Sequence, residues 1–293
     1  MQNGFFVILA IYLITQEQSM TFDPISQDPL HDSDFPASLI EFEMNHADAL
    51  LNGVIYQPSG EGLHPLVLLL HGLPGHERNF DLAQILRRAG YAVCVFHYRG
   101  SWGSGGDYRF AHVIEDTRAV LEHFRQPSFS EPLRIDSTDI TLIGHSLGGW
   151  TALLIAAQTD VERVASLSGV NIGLWAQQIT ESPDLVRPML EQSLASSLAP
   201  LAGVTAQDII TEVQAHGDQW DLLTHTSTLA SKNILLIGAK RDSIVGVFDH
   251  HMPLVKALQA RNAPQLTTAL LSTDHVYSGN RIALARTILD WLS

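Results

Sequence analysis

The stretch Gly144-His-Ser-Leu-Gly-Gly149 constrains the fold of this chain more than any other feature of its sequence. It follows an apolar, β-branched run at 139–143 and precedes a segment of helical character at 150–157. Glycines at such a junction indicate that the two elements approach too closely for side chains. The sequence therefore predicts a strand, a sharp turn that lifts Ser146, and a helix.

Apolar runs alternate with helical patterns along most of the chain. The first two strands alternate apolar and polar residues, which is typical of antiparallel strands at an edge, whereas the later runs are continuously apolar and predict central strands covered on both faces. This alternation predicts an α/β fold with a mostly parallel central sheet flanked by helices. We expect strands at 39–44, 50–56, 66–70, 91–96, 140–143, 164–168, 234–237 and 267–271, and helices at 80–89, 111–125, 146–157, 252–260 and 279–292.

One long segment interrupts the alternation. Between the strands at 164–168 and 234–237 the sequence has helical patterns at 175–181, 185–197 and 205–216 but no convincing strand. A structureless loop of that length would be unusual, so we expect a helical cap insertion at about 171–228. Apolar residues of this insertion are candidates for a substrate pocket: Leu174, Trp175, Leu185, Met189 and Leu190.

Residues 1–19 form an apolar extension that we set apart from the domain expected at 20–293. The run at 5–14 is ten residues long, well short of the ~20 that span a bilayer. No Lys or Arg precedes it, and no small-residue cleavage site follows it. Three interpretations stay open, namely a poor signal peptide, an interfacial membrane anchor at 4–14, and an extension upstream of a start at Met20.

Composition excludes several classes of protein. Hydrophobic residues make up 45% of the chain, which is too apolar for disorder. The formal net charge of −14 repels phosphate backbones, so we expect no nucleic-acid partner. Cys94, the single cysteine, lies in an apolar run and is expected to be buried. A chain with one cysteine forms no internal disulfide, which fits a reducing compartment, so we expect a cytoplasmic protein.

Ser146 is a candidate nucleophile because Gly144–Gly148 matches the G-x-S-x-G pattern. A serine hydroxyl is weakly nucleophilic without a histidine base, which in turn needs a carboxylate to orient it. Asp242 follows the strand at 234–237 and His275 follows the strand at 267–271. Both positions are carboxyl ends of strands, where open α/β sheets place their sites. The sequence therefore predicts a Ser146, Asp242, His275 triad.

Other residues near these positions offer alternatives. Asp274 adjoins His275 and is the second candidate acid, although its side chain is expected to diverge in a tight loop. The run Asp249-His-His251 could indicate a metal site, but no complementary ligand pattern accompanies it, and a solvated helix start is the simpler interpretation. His145 is expected to pack at the turn. We expect neither a metal nor a cofactor.

Two glycine-containing loops follow neighbouring strands. The loop His71–Gly75 can supply the Leu73 amide to an oxyanion hole whose second donor is the Leu147 amide, although an ordinary turn would also fit. The loop His97–Gly106 lacks the Gly-Lys-Ser/Thr of a phosphate-binding loop and is expected to be structural, with Arg99 paired to Asp116.

Together these motifs resemble the α/β-hydrolase superfamily over residues 39–293. The resemblance rests on the HGLPG loop at 71–75, the GHSLGG turn, and the placement of Asp242 and His275. The stretch 71–106 is similar to the prolyl-oligopeptidase-like and dienelactone-hydrolase-like branch, although the chain has no room for the β-propeller of true oligopeptidases. The resemblance implies a serine hydrolase that forms an acyl-enzyme on Ser146.

Small carboxylic esters are the expected substrates, because the propeller is missing and a turn of this sequence is common in lipases and esterases. Peptide or amide hydrolysis, thioester hydrolysis and acyl transfer use the same triad and stay open. A non-catalytic binding protein on this scaffold is the alternative from another class. The sequence identifies neither the acyl group nor the oligomeric state.

Overall fold

The computed structural model describes residues 22–293, so the three interpretations of residues 1–19 lie outside the described residues. One eight-stranded sheet forms the centre of the structure. Its strands are β1 (Ser38–His46), β2 (Ala49–Gln57), β3 (His64–Leu70), β4 (Ala92–Phe96), β5 (Ile135–His145), β6 (Arg163–Leu167), β7 (Asn233–Ala239) and β8 (Leu266–Leu271).

The sheet is antiparallel at one edge and parallel elsewhere. In the order β1-β2-β4-β3-β5-β6-β7-β8, β1 pairs with β2 and β2 with β4 in antiparallel register, while all other neighbours are parallel. This confirms the expected mostly parallel sheet with an opening antiparallel pair. Because parallel strands all end at the same edge, the loops after β3, β5, β7 and β8 meet there.

Helices cover both faces of the sheet and bury a separate apolar cluster on each. The helices are α1 (Phe80–Arg88), α2 (Phe110–Phe124), α3 (Pro127–Ser130), α4 (Leu147–Gln158), α5 (Ile172–Glu181), α6 (Pro183–Leu198), α7 (Ala206–Trp220), α8 (Thr226–Leu229), α9 (Met252–Ala260) and α10 (Arg281–Leu292). One cluster includes α1 and α10, and the other includes α2, α4 and α9 together with helices between β6 and β7.

Helix α4 lies at the centre of the larger cluster. The ten residues from Leu147 to Ala156 are all buried, so this helix contacts protein around its whole circumference. Its first residue follows Ser146 directly, and β5 ends at His145. The turn singled out in the sequence therefore connects the centre of the sheet to the most buried helix.

The helices α5 to α8, which we call the insertion, occupy residues 172–229 between β6 and β7, in the segment expected to be helical. Hydrogen bonds at several points tie the insertion to the rest of the fold, among them contacts with α4 and α2. The Trp150 indole of α4 donates to the Trp220 carbonyl at 2.9 Å. The Glu212 carboxylate of α7 accepts the Phe110 amide at 2.9 Å and the Ala111 amide at 3.4 Å, at the amino end of α2.

Two predictions about single residues are confirmed. Cys94 is fully buried in β4, and burial raises the pKa of its thiol, as expected of a small core residue. Arg99 Nε donates to Asp116 Oδ1 at 2.6 Å beneath the loop at 97–106, as expected of a buried pair. Among residues 22–293, no helix combines the length and the apolar character needed to cross a bilayer.

Candidate active site

The turn at Gly144–Gly149, which we call the elbow, holds Ser146 in an unusual conformation. Ser146 has φ 57° and ψ −118°, a region that side-chain-bearing residues seldom occupy and that costs free energy unless its surroundings enforce it. Its amide donates to the Leu167 carbonyl of β6 at 2.9 Å, which fixes the turn to the neighbouring strand. The hydroxyl is thereby lifted above the carboxyl ends of the strands.

Glycines leave the space that the elbow needs. A Cβ atom on Gly144 would overlap the Gly148 carbonyl, and one on Gly148 would overlap the carbonyl oxygen of Leu70 in β3. A Cβ atom on Gly149 would lie 2.5 Å from Ser166 Oγ. Because backbone blocks the first two positions, no side-chain rearrangement could accommodate a larger residue there.

Asp242 and His275 form a hydrogen-bonded pair at the same edge of the sheet. His275 Nδ1 lies 2.7 Å from Asp242 Oδ2, and Asp242 Oδ1 accepts the amides of Ile244 at 2.9 Å and Val245 at 2.7 Å. Burial acts to raise the pKa of Asp242, but these hydrogen bonds outweigh it and hold the pKa below its ordinary value. An ionised Asp242 only accepts, so Nδ1 of His275 carries the proton and Nε2 has a free lone pair.

Two backbone amides that could donate hydrogen bonds, those of Leu73 and Leu147, belong to the segments next to Ser146. A Cβ atom on Gly72 would lie 2.9 Å from Ser146 Cβ, which places the loop after β3 directly against the serine. Within residues 22–293, neither the Leu73 amide nor the Leu147 amide donates a backbone hydrogen bond. Leu147 is the first residue of α4, where helix amides have no intrahelical acceptor.

His145 links the elbow to the loop that carries His275. The two imidazole rings lie 4.8 Å apart, and His145 Nε2 is 2.9 Å from the His275 carbonyl oxygen. A carbonyl only accepts, so Nε2 of His145 carries a proton. Within the described residues no hydrogen bond joins Ser146 Oγ to His275, a contact that in hydrolases without substrate is often long.

A cavity of about 90 Å³ opens at Ser146. It extends between the elbow, the start of α2 and helices α5 and α6 of the insertion. Apart from three serines, its lining is apolar. The lining residues are Leu73, Phe110, Ser146, Leu147, Val170, Ile172, Trp175, Ser193, Leu194, Ser197, Ile244 and Val245.

Comparison with known families agrees with this geometry. Residues 67–286, which are more than half of the chain, match the model of an alpha/beta hydrolase family. The chain belongs to the α/β-hydrolase family. Its eight-stranded, mostly parallel sheet flanked by helices is the α/β-hydrolase fold.

Relatives of this α/β hydrolase include enzymes that are named for different activities. The sn-1-specific diacylglycerol lipase ABHD11 of mouse is 27% identical over 191 residues, which cover 58% of this chain and 58% of the mouse protein. This chain thus spans less than two thirds of that relative's length. Acylaminoacyl peptidase of Pyrococcus horikoshii superimposes with a TM-score of 0.66 at 16% identity, over 87% of this chain and 41% of the peptidase.

A third similar structure matches nearly end to end. Est1E of Butyrivibrio proteoclasticus, solved with ferulic acid, superimposes with a TM-score of 0.61 at 16% identity. The match covers 86% of this chain and 97% of Est1E. At such low identity the two solved structures establish the shared α/β-hydrolase fold alone. They do not distinguish the branch of the superfamily that the loop at 71–106 resembles.

The predicted pocket residues fall in different places in the α/β hydrolase. Trp175 lines the cavity, whereas Leu174 is half-buried outside it and Leu190 packs against the core. Leu185 and Met189 are 64% and 61% exposed on α6 and do not line it. The sequence pattern predicted helices but not their rotation. It therefore missed lining residues from α2, α5, α6 and the loops after β6 and β7: Phe110, Val170, Ile172, Ser193, Leu194, Ser197, Ile244 and Val245.

His145 was expected only to pack at the elbow, and its contact with the His275 carbonyl was not predicted. Burial lowers the pKa of His145 to about 3, so the ring is neutral at neutral pH. The histidine of the G-H-S-x-G sequence is the signal that could have pointed to this contact. Only the structure shows that its partner comes from the loop after β8.

The alternative residues have other surroundings. Asp274 is exposed and accepts the Ser278 amide at 2.8 Å within its own turn. His251 is buried against Gly238, so the solvated helix start expected for Asp249–His251 is wrong at this residue, because His251 ends a packed π-helical turn at Val247–His251. Within residues 22–293, no three His, Cys, Asp or Glu side chains group in a way that could hold a metal ion.

Proposed function

We propose that this α/β hydrolase cleaves carboxylic esters of small molecules through an acyl-enzyme on Ser146. One observation carries the proposal: the buried His275–Asp242 hydrogen bond of 2.7 Å at the sheet edge where the elbow presents Ser146. It gives an imidazole of fixed tautomer, which is what a serine nucleophile needs. The roles of Ser146, Asp242 and His275 follow from that chemistry.

Acylation would transfer one proton and exchange one bond. Ser146 Oγ attacks the ester carbonyl carbon while its proton passes to His275 Nε2, and the carbonyl oxygen becomes an oxyanion. The free amides of Leu73 and Leu147 would stabilise this oxyanion. The C–O bond to the alcohol then breaks, and the departing alkoxide takes the proton from His275.

Deacylation would repeat these steps with water. Water attacks the acyl carbon and gives its proton to His275, and the acid leaves as Ser146 recovers the proton. Asp242 stays ionised throughout and stabilises the imidazolium that forms in both steps. The hydrogen bonds that hold its pKa down support this role.

Esters are favoured over amides on two grounds. The mouse relative is named a lipase, and lipases cleave esters. The lining of the cavity at Ser146 offers no charged side chain among the described residues to hold a peptide terminus. The resemblance of the loop at 71–106 to the prolyl-oligopeptidase-like and dienelactone-hydrolase-like branch is the ground for the competing peptidase hypothesis.

Labelling and turnover test the proposal together. We expect a fluorophosphonate probe to label the protein, and short p-nitrophenyl esters to be hydrolysed faster than the matching p-nitroanilides. Ser146→Ala should abolish both labelling and hydrolysis without changing the circular dichroism spectrum. The matched control is Ser243→Ala, which removes an exposed hydroxyl beside Asp242 and should retain both. Labelling that persists in Ser146→Ala, or faster anilide cleavage, would refute the proposal.

A further inference from the structure

We propose that the cavity at Ser146 binds the acyl group and selects short, uncharged acyl chains of roughly two to four carbons. This inference rests on the proposed function and names its substrate class. It follows from which residues line the cavity, how much space they leave and what charges they lack.

The position of His275 identifies the cavity as the acyl side. The leaving alcohol must depart beside His275, because that imidazole protonates it. His275 is not among the lining residues, whereas Ser146 and both oxyanion donors, Leu73 and Leu147, are. With the carbonyl oxygen at those amides, the cavity lies on the side away from the leaving group, where the acyl chain extends.

The volume of the cavity limits the length of that chain. Sites for drug-sized ligands occupy ~300–1,000 Å³, against about 90 Å³ here. A water-sized group needs ~10–15 Å³ of such space, so the cavity holds roughly six to nine groups, of which the carbonyl carbon and oxygen take two. The remaining space admits a butyryl chain readily, whereas an octanoyl chain fills it completely or exceeds it.

Two aromatic side chains form part of the cavity wall, which we call the inner wall because one of them, Phe110, is fully buried. The Trp175 ring of α5 lies 6.3 Å from the Phe110 ring, centroid to centroid. The Glu212 carboxylate holds the Phe110 amide at 2.9 Å, so this wall is fixed at the start of α2. A longer chain would have to displace a packed ring.

The lining also selects against charge. Its side chains are apolar apart from the hydroxyls of Ser146, Ser193 and Ser197, and none of the described lining residues is charged. A carboxylate on the acyl chain would lose its hydration here without gaining a counter-charge. A dicarboxylic monoester should therefore be a poor substrate even when its chain is short.

Chain-length profiles of the full-length protein test the inference. We expect kcat/KM for p-nitrophenyl butyrate to exceed that for the octanoate by at least about tenfold, and the p-nitrophenyl monoester of succinic acid to be equally poor. Trp175→Ala should shift the preference toward the octanoate, because it removes part of the inner wall. Ser197→Leu should lower butyrate turnover more than acetate turnover, because it fills the cavity.

A control and two distinct failures complete the test. Glu191→Ala removes an exposed side chain of the same helix as Ser197 and should leave the chain-length profile unchanged. If Trp175→Ala does not fold, the opposite shift in Ser197→Leu still decides. A wild-type preference for octanoate or the succinate monoester, with Ser146 labelled, overturns this inference and leaves the hydrolase proposal intact. No labelling and no turnover of any ester overturns both.

Discussion

The elbow and helix α6 of the insertion face the same cavity but are built in opposite ways. At the elbow, backbone packs on backbone, so that even a methyl group on Gly148 would overlap the Leu70 carbonyl. Helix α6 buries only Leu194 and Leu198 among its 16 residues. The comparison shows that the groups proposed for the chemistry sit on a rigid scaffold, whereas part of the pocket wall sits on a lightly anchored helix.

The largest expected effect comes from removing the charge of Asp242. Asp242→Asn keeps the shape of the side chain but removes its charge and turns an NH2 donor toward His275 Nδ1, which then has to accept. The required tautomer is no longer fixed, so kcat for a p-nitrophenyl ester should fall by roughly 10⁴-fold. The matched control is Asp274→Asn, which changes the exposed neighbour of His275 and should retain activity. Equal losses in the two variants would show that the 2.7 Å pair does not orient the base.

A smaller effect should distinguish the elbow from helix α6, namely how much a substitution in each lowers the free energy of unfolding. Gly148→Ala should lower the free energy of unfolding by about 3 kcal/mol or more, because backbone must move to admit the methyl group. Met189→Ala on α6 should change it by less than about 0.5 kcal/mol, because that side chain is exposed. Urea denaturation measures both values.

Gly279→Ala serves as the control for the glycine substitution itself. A Cβ atom there meets nothing within 4 Å, and its backbone is not in the left-handed region. This variant should unfold like the wild type. If Met189→Ala lowered the free energy of unfolding as much as Gly148→Ala does, the insertion would be as tightly packed as the elbow.

The smallest effect concerns acid pH. The pKa of His145 is about 3 in the folded protein, against 6.5 ordinarily, so between these values only the unfolded chain binds the proton. The contribution of neutral His145 to the free energy of unfolding is therefore complete above pH 6.5 and decreases as the pH falls, by about 2 kcal/mol at pH 5.

His145→Gln isolates that contribution. Its amide can still donate to the His275 carbonyl but does not titrate, so the loss of stability between pH 7 and pH 5 should be smaller by about 2 kcal/mol. His71, whose pKa burial also lowers to about 3, should keep part of the acid sensitivity in the variant. An unchanged pH dependence of unfolding would contradict the buried, neutral state of His145.

The sequence predicted those features that neighbouring residues determine. Periodicity located the strands, and the spacing of Asp242 and His275 after two of them located a pair that the structure joins. It could not predict that Leu185 and Met189 point outward, because the rotation of an amphipathic helix depends on what it packs against. The contact between His145 and the His275 carbonyl spans 130 positions and exists only once the sheet has formed.

The carboxylate of Glu212 has a consequence for engineering. It supplies the acceptor for the first amides of α2, a role that a residue at the helix's own beginning usually fills. Grafting a foreign segment in place of α5 to α8 would therefore leave a core helix uncapped at the wall of the cavity at Ser146. A chimaera would need either an acid in the same place or a new serine, threonine or aspartate in front of Phe110.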